Sequence, residues 1–171
     1  EKRRSSEAAM KYIMSSAFAS GLLLFGISMM YGVTGTVSFA ELQAAASDQP
    51  LFLFSFILIL AGFGFKISAV PFHLWTADVY EGSPIAVTSY LSVISKGSMI
   101  FAMTTVLFTV FGQLIFHWYN IIAVLAVLSM IVGNLFAIRQ QNVKRFLAFS
   151  SISQVGFILI GVTGANAIGQ S

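Results

Sequence analysis

Two lysines lie inside apolar stretches long enough to cross a bilayer: Lys66 in LILAGFGFKISAVPF and Lys96 in YLSVISKGSMIFAM. A charged side chain near the bilayer centre costs roughly 2.5–3.5 kcal/mol on insertion scales. A helix that merely spans needs only Leu, Ile, Val or Phe. Both amines are therefore an excess cost unless they face a cavity, a counter-charge or a proton path. Burial disfavours the charged amine and a nearby carboxylate favours it, so an amine balanced between the two can exchange its proton near neutral pH. Pro71 follows Lys66, lacks an N–H and clashes with the carbonyl of Ile67. Freed carbonyls in hydrocarbon need a neighbour or water. Interrupted helices with free backbone ends are the usual site architecture of transporters. The plain alternative is a packing kink.

His73 lies seven residues after Lys66, nearly on the same face of an unbroken helix. Imidazole titrates in the physiological range, so His73 could pass a proton from Lys66 to the next carrier. A histidine in an amphipathic stretch is also commonly just hydrogen-bonded, and both roles stay open. Lys66 has a second reading as well. If its helix ended at Val70, the amine would sit in the last turn and could reach the interface. Lys96 is about a dozen residues from either end of its span, which leaves it no such route.

The elements that must position these groups follow from composition. The chain has 171 residues, is 57% hydrophobic and only 9% charged, against about 25% charged in soluble domains. Seventeen Phe and three Pro exclude disorder. No Cys is present, so no disulfide can form. Nothing suggests nucleic-acid binding. Hydropathy gives about five spans: about Tyr12–Val33, Leu51–Val79 with an interruption near Ser68–Pro71, Ile85–Phe111, His117–Ile138 and Phe146–Val162. The expected fold class is an all-α transmembrane, polytopic helix bundle with one broken helix. Linkers are at most about fifteen residues, so 1–171 reads as a single membrane-embedded unit. The N-terminal EKRRSSEAAMKY is polar and reads as a loop rather than a signal peptide, so the chain reads as an internal fragment of a longer subunit.

The loops set the orientation. Lys2, Arg3, Arg4 and Lys11 precede the first span, and Arg139, Lys144 and Arg145 separate the last two. With five spans both clusters fall on one face. The loop Gly35–Gln49 falls on the other and carries Glu41 and Asp48 but no base. The basic face is then cytoplasmic or matrix-side.

Other polar positions carry weaker signals. His117, Trp118 and Tyr119 read as an interfacial anchor, and Trp75 and Tyr80 as anchors or packing. Ser92, Ser95, Ser98, Thr104 and Thr105 flank Lys96; such hydroxyls usually bond back to their own helix, but they could hold water beside an amine. Ser150, Ser151, Ser153 and Gln154 open the last span in the same way. Asn134 reads as interhelical glue. Ala17, Ser20 and Gly21, and Gly62 and Gly64, read as close-approach points. There is no Gly-rich phosphate loop, no metal-ligand cluster and no nucleophile–base pair.

The stretch GFGFKISAVPFHLWTADVYEGSP, Gly62 to Pro84, resembles the broken-helix signature of the antiporter-like subunits of respiratory complex I. Its F-K-x-S-x-x-P-F-H-x-W-x-x-D-V-Y-E-G form is similar to subunit N, the counterpart of mitochondrial subunit 2. Glu7 to Thr36 and Phe146 to Val162 support the same resemblance, as does LSVISKGS, Leu91 to Ser98. Ala77 and Ala86 depart from it, standing where the pattern often has Pro.

The resemblance implies a larger inverted-repeat antiporter-like fold, of which this chain holds a middle part. It implies a proton-translocating subunit of NADH:quinone oxidoreductase. Lys66 would be the broken-helix amine, Lys96 the central-axis amine, and His73 the family histidine after the break at Pro71. It also implies that NADH, FMN, iron–sulfur clusters and quinone belong to partner subunits, with none of them bound by this chain; no Cys is present to ligate a cluster. The chain would act as an enzyme subunit with no redox centre of its own. Its partners would be other membrane subunits of the complex and the lipid bilayer. The expected location is the bacterial inner membrane, ahead of the mitochondrial inner membrane or the thylakoid. The alternative is a subunit of a multisubunit cation/proton antiporter or a membrane-bound hydrogenase. A third class is a scaffold whose lysines only pair with neighbours.

Overall fold

Pro50 opens and Ser68 closes the helix that carries Lys66. In the computed structural model, which describes residues 2–169 and the side chains of 3–164, the order is α1 (Lys2–Thr34), a short α2 (Phe39–Ala44), α3 (Pro50–Ile67), α4 (Leu74–Gly82), α5 (Ile85–Tyr90), α6 (Lys96–Thr109), α7 (Ile115–Ile138) and α8 (Val143–Gly169). A π-helical turn, Leu91–Ser95, joins α5 to α6 without interruption, and a 3₁₀ turn, Gly112–Leu114, precedes α7. No strand occurs among the described residues. Five stretches are long and apolar enough to cross a membrane: Arg3–Thr34, Pro50–Ile67, Ile85–Thr109, Gly112–Ile138 and Val143–Gly164.

The break after Lys66 is built by local backbone chemistry. Ser68 takes a left-handed φ of 62°. Its N–H donates to the Phe65 carbonyl at 3.2 Å and the Ala69 N–H donates to the Gly64 carbonyl at 3.0 Å. This is the paired-bond helix stop usually made with glycine. The Val70–Pro71 peptide is cis. Chain direction is then regained through Phe72 N–H to Ala69 carbonyl, 2.7 Å, and α4 starts after His73.

Small residues set the helix contacts. A Cβ on Gly62 would lie 2.9 Å from Leu23 Cβ, and one on Gly26 would lie 2.9 Å from the Ser55 carbonyl oxygen, so α1 and α3 touch backbone to backbone. Gly133 and Gly156 do the same for α7 and α8. Gly82 brings α4 against Ala8 of α1. The expected approach at Gly21 is absent, since nothing lies within 4 Å of it; Ala19 and Gly26 take that role because they face α3. The continuation of the broken helix, α4, thus packs between α1 and α8.

Two expectations are corrected. The N-terminal polar segment is helical and continuous with the first span; its residues have good helix propensity and no breaker. Trp118 is fully buried, donates to the Phe111 carbonyl at 2.9 Å and meets the Phe108 ring edge-on, so it is core rather than anchor.

Candidate functional site

Lys66 sits in the last turn of α3 and is half-buried. It lines a cavity of about 80 Å³ with Tyr12, Ser15 and Ser16 of α1, Trp75 of α4 and Ser95. That volume accommodates several waters. A cation in the last helical turn also complements the partial negative charge of the free carbonyls there. The Trp75 indole N–H donates to the Phe65 carbonyl at 3.1 Å, beside the Ser68 N–H that the same oxygen accepts. The buried Val70 N–H donates to Ser129 Oγ of α7 at 2.9 Å. The interruption is therefore tied on both sides, as a buried backbone in hydrocarbon requires.

His73 forms the N-cap position of α4 and is 8% exposed. Among the described residues its Nδ1 makes no well-formed hydrogen bond, nor do the buried side-chain oxygens of Ser68, Thr76 and Tyr80, although the Pro71 backbone lies near His73 and Ser151 near Tyr80. Thr76 and Tyr80 are four apart on α4 and share a face. Buried polar atoms are satisfied in the great majority of cases. Here the exceptions cluster along the break and one face of the helix after it.

Lys96 begins α6 immediately after the π turn and is 4% exposed. Its Nζ donates to Ser151 Oγ of α8 at 2.7 Å, and Ser151 Oγ donates to the Ala148 carbonyl at 2.8 Å. The amine also lies over the Tyr80 ring, 5.6 Å from its centroid. It lines a groove of about 830 Å³ between α5–α6 and α8 whose polar residues include Ser92, Ser150 and Gln154. Ser92, Ser98, Thr104 and Thr105 bond back to their own helix carbonyls.

The two amines do not meet. Lys66 shares its cavity with Leu91, Ser95 and Met99. The groove of Lys96 takes Ser92, Gly97 and Ile100 from the same helix. That helix therefore separates the two sites and lends a different stripe to each. Among the described residues neither amine has an ion-pair partner, and no group of three or more His, Cys, Asp and Glu side chains could hold a metal ion.

At the end of the bundle carrying the basic clusters, Asp78 accepts from Lys11 at 2.8 Å and from Arg145 at 2.9 Å, while Glu81 accepts from Arg145 at 2.9 Å. Lys144 donates to the Ser83 carbonyl at 2.8 Å. These contacts join α1, α4 and α8, which puts the N-terminus, the α4–α5 turn and the α7–α8 turn on one face. His117 approaches Asp48 at 3.8 Å, placing the two intervening loops at the other end. The five-span orientation is consistent with both.

The comparisons with known proteins fit this arrangement. The family model for the NADH:quinone oxidoreductase/Mrp antiporter transmembrane segment matches residues 1–171. The chain belongs to this family. NADH-quinone oxidoreductase subunit N of Azobacteroides pseudotrichonymphae is 51% identical over 170 residues, 99% of this chain and 35% of the relative. This chain thus spans about a third of the relative it matches. In a structure of respiratory complex I from Thermus thermophilus, a chain aligns over 91% of this one and 34% of itself, at 34% identity and a TM-score of 0.76. A chain of the Mrp complex from Dietzia aligns over 92% of this one and 29% of itself, at 32% identity and a TM-score of 0.86. The antiporter-like membrane fold is common to all three.

Ser129, Tyr80 and the Ser151 contact were missed as functional neighbours in the sequence. A serine among hydroxyls gives no local sign of which residue, tens of positions away, it will face.

Proposed function

We propose that this chain is part of a proton-translocating membrane subunit of an NADH:quinone oxidoreductase, in which Lys66, His73 and Lys96 carry protons. The observation that carries the reading is Lys96, 4% exposed, bonded to one neutral hydroxyl and paired with no carboxylate among the described residues. A protonated amine in such a place is expensive, and a scaffold gains nothing from it. An amine whose charged and neutral forms are close in free energy is what a proton carrier needs. Lys66, beside a polar cavity at a helix break, supplies a second amine on the path. His73 and the unpaired oxygens of Ser68 and Thr76 supply polar stations after the break.

In this reading the redox chemistry, with NADH, FMN, iron–sulfur clusters and quinone, belongs to partner subunits of a complex I-type assembly in a bacterial inner membrane. This chain contributes charge movement alone. The test is NADH-driven proton uptake by the assembled complex. Lys96→Ala should assemble normally and pump far below wild type. Full pumping by that variant would overturn the reading.

The similarity to the Mrp complex supports a second reading, a subunit of a multisubunit cation/proton antiporter. Sodium-dependent proton exchange in vesicles without NADH would favour it. The 51% identity to subunit N favours the first.

A further inference from the structure

Tyr80 is fully buried on α4, at the centre of a cluster that includes Val79, Leu91, Phe149 and Ile152. Its hydroxyl makes no well-formed hydrogen bond among the described residues, although Ser151 lies near enough to act on it, and its ring lies under the Lys96 amine, 5.6 Å from centroid to Nζ. Ring faces attract cations within about 6 Å, and more strongly where water is excluded. A lysine ammonium has three N–H donors. Among the described residues one of them is used, toward Ser151 Oγ. The ring face is the other feature of the site that discriminates a charged amine from a neutral one.

The rest of the surroundings do not supply that discrimination. From α8 the groove presents Ser150, Ser151, Gln154 and Lys144, and from α5 and the π turn it presents Thr88, Ser89 and Ser92. Lys144 also lines the groove, and its amine is turned to the Ser83 and Glu81 carbonyls at 2.8 and 3.5 Å. Like charge would in any case oppose protonation of Lys96 rather than favour it. The backbone fixes the pairing as well. Thr88 Oγ1 of α5 donates toward the Tyr80 carbonyl at 3.4 Å, tying α5 to α4. The π turn then inserts its extra backbone between that tie and Lys96, and such turns re-aim the residues that follow them.

We propose that the ring face of Tyr80 holds the Lys96 amine in its charged form, making Tyr80 a positioning residue that sets how readily this lysine gives up its proton. The proposal rests on the proton-carrying reading of Lys96. The ring acts on the cation and not on the neutral amine, so it shifts the balance between them without forming a hydrogen bond. The hydroxyl is not needed for this, which makes the proposal specific to the aromatic face.

The experiment uses the full-length subunit in the assembled complex and records NADH-driven proton uptake against pH. Tyr80→Phe keeps the face and should follow wild type. Tyr80→Leu removes it, and the alkaline limb of the profile should move to lower pH by roughly half a unit to one unit. Fluorinated phenylalanines at position 80 keep ring shape while weakening the face, and the limb should move stepwise with fluorination. They decide the matter if Tyr80→Leu does not assemble. A purely structural role would lower the amount of complex and leave the limb in place. An unmoved limb across the fluorinated series, with Lys96→Ala inactive, would overturn the role of Tyr80 and leave the proton-carrying reading standing. Full uptake by Lys96→Ala would overturn that underlying reading instead.

Discussion

Ser129 on α7 accepts the backbone N–H of Val70, fifty-nine residues earlier, at 2.9 Å. Both groups are buried, and the N–H belongs to the break that follows Lys66. A helix distant in the chain therefore satisfies the backbone of the interruption. Leaving a buried N–H unpaired costs about 1–3 kcal/mol, and more of that penalty is felt where water cannot enter. Ser129→Ala should lower the thermal stability of the assembled subunit measurably, and Ser129→Thr should retain most of it. Unchanged melting of Ser129→Ala would show that the break closes without this hydroxyl.

Ser68 makes a prediction of opposite sign. Its φ of 62° costs an L-residue about 1–2 kcal/mol relative to the right-handed region. Glycine adopts that backbone freely, and the Ser68 hydroxyl has no partner to lose. Ser68→Gly should leave assembly and stability equal to wild type or slightly better. Ser68→Val should be clearly worse, because a β-branched side chain fits this region poorly. A stabilising valine would mean that the paired-bond stop after α3 is not what ends the helix.

A third prediction concerns helix spacing. A Cβ on Gly133 would meet Ser153 N at 2.7 Å and the Phe149 carbonyl oxygen at 3.0 Å, both backbone atoms of α8. Backbone cannot swing aside as a flexible side chain can, so Gly133→Ala must push α7 and α8 apart. The cost should be about 1–3 kcal/mol, as for other overpacked sites. Gly21→Ala, with nothing within 4 Å, is the matched control and should be silent. Thermal stability of the two variants side by side checks the pair.

How much of this was visible in the chain depends on the range of the cause. The spans follow from hydropathy, and the helix break follows from Pro71, because both are properties of contiguous residues. Hydroxyls that bond four or three residues back, as Thr104 does to the Ile100 carbonyl, are equally local. The glycine faces were half legible: Gly62 was recognised, while Gly21 was expected to pack and does not, since rotation of α1 about its own axis is set by α3. Trp118 shows the same limit, with its indole turned inward to the Phe111 carbonyl although its place at a span start suggested the interface. The pairings of Lys96 with Ser151 and Tyr80 join elements far apart in the chain. They arise from the packing of α6 and α4 against α8 and each other, which no local stretch of the chain encodes.

The final prediction separates fixed charge from proton exchange at Lys96. Its amine sits at 2.7 Å from Ser151 Oγ and is almost wholly enclosed. Lys96→Arg keeps the positive charge, but guanidinium does not deprotonate in proteins. Its planar fork is also larger than the ammonium it replaces. If the position exchanges a proton, the arginine variant should assemble and yet pump poorly in an NADH-driven uptake assay. Lys96→His offers a group that titrates in the physiological range and should retain partial uptake, with a pH profile displaced toward acid. Pumping by Lys96→Arg at the wild-type rate would show that the site supplies a standing charge and no proton. Loss of uptake in Lys96→His as in Lys96→Ala would show that a titrating group at this position is not sufficient without the reach of the lysine side chain.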